Sequence, residues 1–151
     1  MTPIRPLLLV AVLAAALSAG ATVRGTTPAG IAWVTGGVGE GEKSELAAQR
    51  GRYSLWLTTA SLRSGAHLDG ARVRIRDLER DVAVLELVMD GPWLFVALPL
   101  GRYEVEAILQ MDNGRLLVER GTTTIHAGDH HQMLLYFATG DSRPAETPAS
   151  R

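Results

Sequence analysis

The chain has 151 residues, 46% hydrophobic and 21% charged, with a formal net charge of −1 and no cysteine. A single domain with a core large enough to stand without covalent staples fits that length. The charge balance excludes an electrostatically driven nucleic-acid binder and a charge-expanded disordered chain, and the missing cysteine excludes a disulfide framework, a thiolate zinc site, a cysteine nucleophile and a lipid-anchored cysteine.

Residues 1–21 read as a signal peptide. Arg5 is the one positive charge of an n-region, and Leu7 to Leu17 is an unbroken apolar run of 11 residues. That run is shorter than the roughly 20 residues a helix needs to span a bilayer. Ser18, Ala19, Gly20 and Ala21 then give the small-residue exit of a cleavage site. Cleavage near Thr22 leaves no membrane span and predicts a periplasmic or secreted protein. It also removes Arg5, taking the net charge from −1 to −2.

Residues 22–50 form a lead-in. The segment 22–39 is rich in glycine and threonine with Pro28, and reads as irregular with a short extended piece at Ile31 to Val34. Gly36-Gly37-Val38-Gly39-Glu40-Gly41-Glu42 follows. Glu45, Leu46, Ala47, Ala48 and Gln49 are good helix formers, which predicts one short helix over roughly 40–50, with Gly51 at its C-terminal cap.

From residue 51 the period changes to two, and residues 51–138 read as a β-sandwich domain. Tyr53, Leu55 and Leu57 share one face of the first strand, and Trp56 points to the other. Arg72 to Arg76 alternates arginines with Val73 and Ile75. Val82 to Met89 is more continuously apolar, as a central strand is. Asp90-Gly91-Pro92 turns the chain into Trp93 to Leu98. After Pro99-Leu100-Gly101, Tyr103, Val105 and Ala107 alternate with Arg102, Glu104 and Glu106. Asp112-Asn113-Gly114 marks a hairpin, with Asn-Gly favouring a type I′ turn. A strand from Arg115 that runs as far as Ile125, with a break at Gly121, and one from Met133 to Phe137 complete seven strands. Short strands with turns at this spacing predict an all-β, seven-stranded antiparallel Greek-key sandwich of the transthyretin-like or Ig-like kind, with one short N-terminal helix. Residues 139–151, with Pro144 and Pro148, read as a disordered tail.

The stretch Asp90-Gly91-Pro92-Trp93 through Leu98-Pro99-Leu100-Gly101-Arg102-Tyr103-Glu104-Val105 resembles the D-G-x-aromatic…L-P-x-G-x-Y-x-V pattern of carboxypeptidase regulatory-like domains. These are small transthyretin-like sandwiches. Gly91 and Gly101 suit tight reversals, Pro99 stiffens one of them, and the Tyr103 hydroxyl is placed to hold a corner. The Gly36–Glu40 run ahead of a helix looks like small exported bacterial proteins of this type. The resemblance implies an accessory module for folding, surface presentation or sugar contact. It carries over no catalytic residues, and the Tyr-Arg-Gly-Ser ending of transthyretin-type hydroxyisourate hydrolases is missing.

Four groups of residues are candidates for chemistry. The Gly36–Gly41 run ahead of a helix has the backbone of an anion cradle, but it lacks the G-K-[ST] of a P-loop. His126, Asp129 and His130, or His131 in place of His130, carry metal-ligating side chains. Neighbouring strand residues point to opposite faces, so His130 and His131 do not converge on one ion. Arg72, Arg74 and Arg76 form a basic ladder, and Glu104 with Glu106 an acidic one, which cross-strand pairing explains. Trp56 and Trp93, with Trp33, are candidate contact surfaces for a partner or a sugar.

No catalytic motif and no cofactor motif is present. The sequence therefore points to an exported, non-enzymatic β-sandwich without a cofactor, acting in the cell envelope with a protein partner. Carbohydrate or small-molecule binding, and a histidine metal site, are the alternatives.

Overall fold

A computed structural model describes residues 22–140. The expected signal peptide (1–21) and residues 141–151 of the expected tail lie outside the described residues. Thr139, at the start of that tail, is held by a 3.0 Å hydrogen bond between its hydroxyl and that of Ser61.

The strands are β1 (Val23–Thr26), β2 (Ala32–Gly36), β3 (Leu55–Ser61), β4 (Arg72–Asp77), β5 (Val82–Val88), β6 (Trp93–Val96), β7 (Gly101–Gln110), β8 (Leu116–Ile125) and β9 (His131–Phe137). Helix α1 (Glu40–Gln49) lies between β2 and β3 and runs into a single 3-10 turn, Arg50–Arg52. One sheet has the order β1-β2-β6-β3-β9 and the other β5-β4-β7-β8. The protein is thus mostly β, with two sheets and one short helix. Among the described residues no helix is long and apolar enough to cross a membrane.

Two expectations about the sheets need correction. There are nine strands, not seven: all seven expected strands form, and the glycine-rich lead-in adds the hairpin β1–β2. Its second strand, β2, falls on the extended piece expected at Ile31 to Val34, but composition hid β1 and the pairing, which depends on a contact rather than on propensity. Gly25 lies opposite Trp33 in the register, and a Cβ there would sit 2.6 Å from the indole. Glycine marks the close approach that lets a tryptophan lie across the neighbouring strand. The sheets are also not wholly antiparallel, since β9 runs parallel to β3 from Leu55 opposite His131 to Ser61 opposite Phe137.

The inward residues of the two sheets share one core. Leu55 and Leu57 of β3, Leu94 and Val96 of β6, and Leu135 and Phe137 of β9 meet Val73, Ile75, Tyr103, Val105 and Ala107. Each buried Val, Leu, Ile or Phe side chain among them contributes about 1.5–3 kcal/mol by leaving water. A second, smaller cluster of Val34, Leu46, Tyr53 and Phe95 lies on the other face of the five-stranded sheet, beneath α1. Leu46 is the one fully buried apolar residue of that helix. The five-stranded sheet is therefore covered on its inner face by the second sheet and only in part on its outer face.

The turns show what their glycines do. Gly91 is needed for proximity rather than for a reversal: a Cβ there would collide with the backbone carbonyl of Gly36. At the β7–β8 hairpin Gly114 has φ 79, while Asn113 is not in the left-handed region. Gly114 N–H donates to the Met111 carbonyl at 2.8 Å and Met111 N–H to the Arg115 carbonyl at 2.8 Å. The loop is thus a type I turn closed by a left-handed glycine, not the expected type I′ turn, because it spans three residues instead of two. Tyr103 is buried, and its hydroxyl donates to the Pro99 carbonyl at 2.9 Å, which fastens the corner between β6 and β7.

Gly91→Ala is expected to destabilise the fold by about 2 kcal/mol or more, because backbone must move to admit one methyl group. Gly41→Ala, where a Cβ meets nothing within 4 Å, is expected to stabilise it by about 0.5 kcal/mol through helix propensity. Urea denaturation of both variants checks the pair, and the same sign for both contradicts this account.

Candidate functional site

The glycine-rich run before α1 is occupied by the chain's own anion. Glu42 is buried, and its Oε2 accepts the N–H groups of Gly37 at 2.9 Å and Val38 at 3.3 Å. Gly39 is the N-cap and offers no side-chain oxygen. Glu42, three residues on, reaches back as the acid of a capping box does, but past the N-cap to the two amides before it, so that part of the run is filled by the chain itself. Glu42→Ala is expected to cost about 1–2 kcal/mol, read from denaturation midpoints. An unchanged midpoint overturns the cap.

The charged ladders pair with each other on the outer face of the four-stranded sheet. Register puts Arg74 opposite both Glu86 and Glu106, and Arg76 opposite Glu104. Arg76 binds Glu104 at 3.2 Å and Asp81 at 2.6 Å, and Arg120 binds Glu106 at 2.7 Å. The Arg76 guanidinium is pushed up in pKa by its hydrogen bonds to Asp81 and then Glu104. This face is a solvated network of paired charges.

The histidines separate. His130 precedes β9 and turns to the outer face of the five-stranded sheet. There it stacks on Trp56 with centroids 5.3 Å apart and donates from Nδ1 to the Tyr53 carbonyl at 2.9 Å. His126 and Asp129 come together: one carboxylate oxygen accepts the His126 backbone N–H at 3.0 Å and its Nδ1 at 2.9 Å. His131, not His130, is the second imidazole beside Asp129, at 3.4 Å. Among the described residues no group of three or more His, Cys, Asp and Glu is placed to hold a metal.

The Asp129 carboxyl is held below its ordinary value of 3.8, first by the His126 amide and then by the His126 imidazole. A lowered carboxyl pKa contributes stability in full above the unfolded value. That contribution fades as pH falls through the folded value. The melting temperature of Asp129→Ala is therefore expected to lie below that of the wild type above about pH 5, with the gap closing below about pH 4. A gap independent of pH in scanning calorimetry contradicts the assignment.

The outer face of the five-stranded sheet holds the third group. Register aligns Val34, Phe95, Trp56 and Gln132 in one cross-strand row, and Gly36, Trp93, Thr58 and Leu134 in the next. Thr58 is the small member among large neighbours, so a cleft of about 190 Å³ opens around it. Trp93 and His67 line one part, Trp56 and Arg50 another, and Gln132 and Leu134 of β9 a third. Trp93 stacks on Phe95 with centroids 6.0 Å apart, and His67 meets Trp93 edge-on at 6.3 Å. Gly37, with φ 92, lies against the indole, where a Cβ would come within 3.1 Å.

Trp56 is pinned. Its indole N–H is shared between the carbonyls of Arg50 at 2.9 Å and Tyr53 at 3.0 Å. The Arg50 guanidinium lies over the ring, 4.8 Å from its centroid, and His130 stacks on it. Trp56 therefore fastens the 3-10 turn to the sheet and forms a fixed wall. Trp93 is the other aromatic wall. Thr58, Phe95, Leu134, Gln132, Arg50 and His67 also line the cleft, and Ala47 brings α1 to its edge. Thr58 shares the period-two phase of Trp56, which is the one signal of them in the sequence; the rest depend on pairing.

No family model, curated protein or solved structure matches the chain. The class that the structure itself defines is a two-sheet, mostly β protein with one short helix and an aromatic cleft on the outer face of one sheet.

Proposed function

We propose that the protein is an exported, non-catalytic β-sandwich of the carboxypeptidase regulatory-like, transthyretin-like kind. In this reading it serves the cell envelope as an accessory module that holds a protein partner. Export is supported by the composition of residues 1–21. The family reading is supported by the D-G…L-P-x-G-x-Y pattern, in which Tyr103 ties its hydroxyl to the Pro99 carbonyl.

The observation that carries the function is the cleft around Thr58. It joins an apolar centre (Trp56, Trp93, Phe95, Leu134) to a polar rim (Arg50, His67, Gln132). That is the anatomy of an interface anchor pocket. Its volume lies below the roughly 300 Å³ at which pockets for drug-sized molecules begin, so it suits one inserted side chain. Its walls are held before binding, Trp56 by two carbonyls and Trp93 by Phe95 and Gly37, so little ordering is lost when a partner docks. A single sugar ring is the second reading. It is favoured by the hydrogen-bonding groups of His67 beside the Trp93 indole and of Gln132 opposite Trp56.

In-cell photo-crosslinking from position 67, with position 74 on the outer face of the other sheet as control, tests this. The expected result is a discrete envelope-protein adduct from 67 only, lost when Thr58→Tyr fills the cleft. Tryptophan fluorescence quenched by saccharides, without an adduct, supports the sugar reading instead. Adducts unaffected by Thr58→Tyr overturn the site.

A further inference from the structure

The edge strand β9 differs from the other three edges. β1 has four residues, and its Arg24 is tied to Glu45 at 2.7 Å. β5 carries Glu86 and pairs through a register shift between Ile75 and Arg76. β8 turns the half-buried Glu119 inward, opposite Ala107. A bulge, an inward charge and shortness are each devices that stop a sheet from growing. β9 reads His-Gln-Met-Leu-Leu-Tyr-Phe over seven residues. It has no Asp, Glu, Lys, Arg, proline or glycine.

The parallel pairing settles which of its backbone groups are engaged. His131 N–H donates to the Ser54 carbonyl and the Phe137 carbonyl accepts Leu62 N–H. His131, Met133, Leu135 and Phe137 therefore bond to β3. Gln132, Leu134 and Tyr136 direct their N–H and C=O groups away from the sheet. The side chains of these same three residues are exposed on the outer face, Leu134 and Tyr136 at 43% each.

We propose that β9 pairs antiparallel with β9 of a second copy of this chain, about a two-fold axis at Leu134. The sequence of the strand is self-complementary in that register. Leu134 meets the second copy's Leu134, Gln132 meets Tyr136, and on the inner face Met133 meets Leu135. The narrow pairs fall on the residues whose backbone groups point outward, so each exchanges both N–H···O bonds. No charge meets a like charge. The five-stranded sheets become one continuous sheet, while Glu119 keeps the neighbouring edges of the other sheets from joining. The interface is isologous and closes on itself. It goes beyond the cleft reading and does not depend on it.

The absence of native cysteine makes the test direct. Leu134→Cys, treated in the full mature chain with a one-carbon bis-thiosulfonate linker, is expected to form a covalent dimer, because a hydrogen-bonded antiparallel pair holds its Cα atoms about 5.5 Å apart, with the Cβ atoms slightly farther apart than a direct disulfide spans. Gln132→Cys alone is expected to form none, since it faces Tyr136. Sedimentation from about 1 µM to several hundred µM is expected to show a monomer–dimer equilibrium. Leu134→Lys, which sets two ammonium groups opposite each other, is expected to shift that equilibrium at least tenfold toward monomer while the melting temperature stays near wild type. A chain monomeric throughout that range, or a dimer that tolerates Leu134→Lys and gives no 134–134 link, overturns the proposal. A position-67 adduct that persists in Thr58→Tyr, with the dimer intact, overturns the cleft reading alone.

Discussion

Parallel pairing of β9 with β3 is the constraint on which the rest of the structure depends. It brings residues 131–137 beside residues 55–61, across an interval that contains five other strands. It sets Leu135 and Phe137 into the core next to Leu55 and Leu57. In the same step it carries Gln132 and Leu134 to the outer face, where they wall the cleft over Thr58. Strand periodicity couples the two consequences: a one-residue slip would expose Phe137 and bury Gln132. The register that completes the core is the one that shapes the site and leaves Leu134 and Tyr136 outward at an edge.

Two features with the look of ligand machinery are used by the chain itself. The glycine-rich segment ahead of α1 holds a carboxylate, and that carboxylate is Glu42. Trp56 faces outward as its phase requires, yet its N–H, bonded to two backbone carbonyls, ties down the turn at Arg50–Arg52. Both arrangements hold α1 and its following turn against the sheet. A helix of ten residues with one buried leucine needs such contacts, because propensity alone does not sustain it. What these contacts leave open is the gap between Trp56 and Trp93. It exists because Thr58 is small and Trp93 and Leu134, which flank it in its row, are not.

Much of this was readable in the sequence, within physical limits. Period-two alternation gave the faces of Leu55, Trp56, Val73, Ile75, Tyr103 and Val105, because each strand's phase is local. It also separated His130 from His131. It did not reveal β1–β2, whose pairing depends on an indole lying over Gly25. It did not reveal which imidazole joins Asp129, because that depends on the path of the turn at 126–129 beside the strand rather than on the strand's own phase. The parallel neighbour of β3 was invisible: periodicity says which way a side chain points and is silent on which strand lies beside it. The cleft was half legible. Trp56 and Trp93 stood out by residue type, whereas Leu134, Gln132 and His67 reach it only through long-range pairing. Glu42 carried a signal, an acid three residues after the N-cap.

Amide hydrogen exchange along β9, followed by NMR in dilute solution, tests the central pairing most directly. The account predicts alternation: slow exchange at His131, Met133, Leu135 and Phe137, whose N–H groups face β3, and fast exchange at Gln132, Leu134 and Tyr136. The reverse alternation, or uniformly fast exchange in a folded sample, would contradict the pairing. With it would fall both the cleft wall and the open edge.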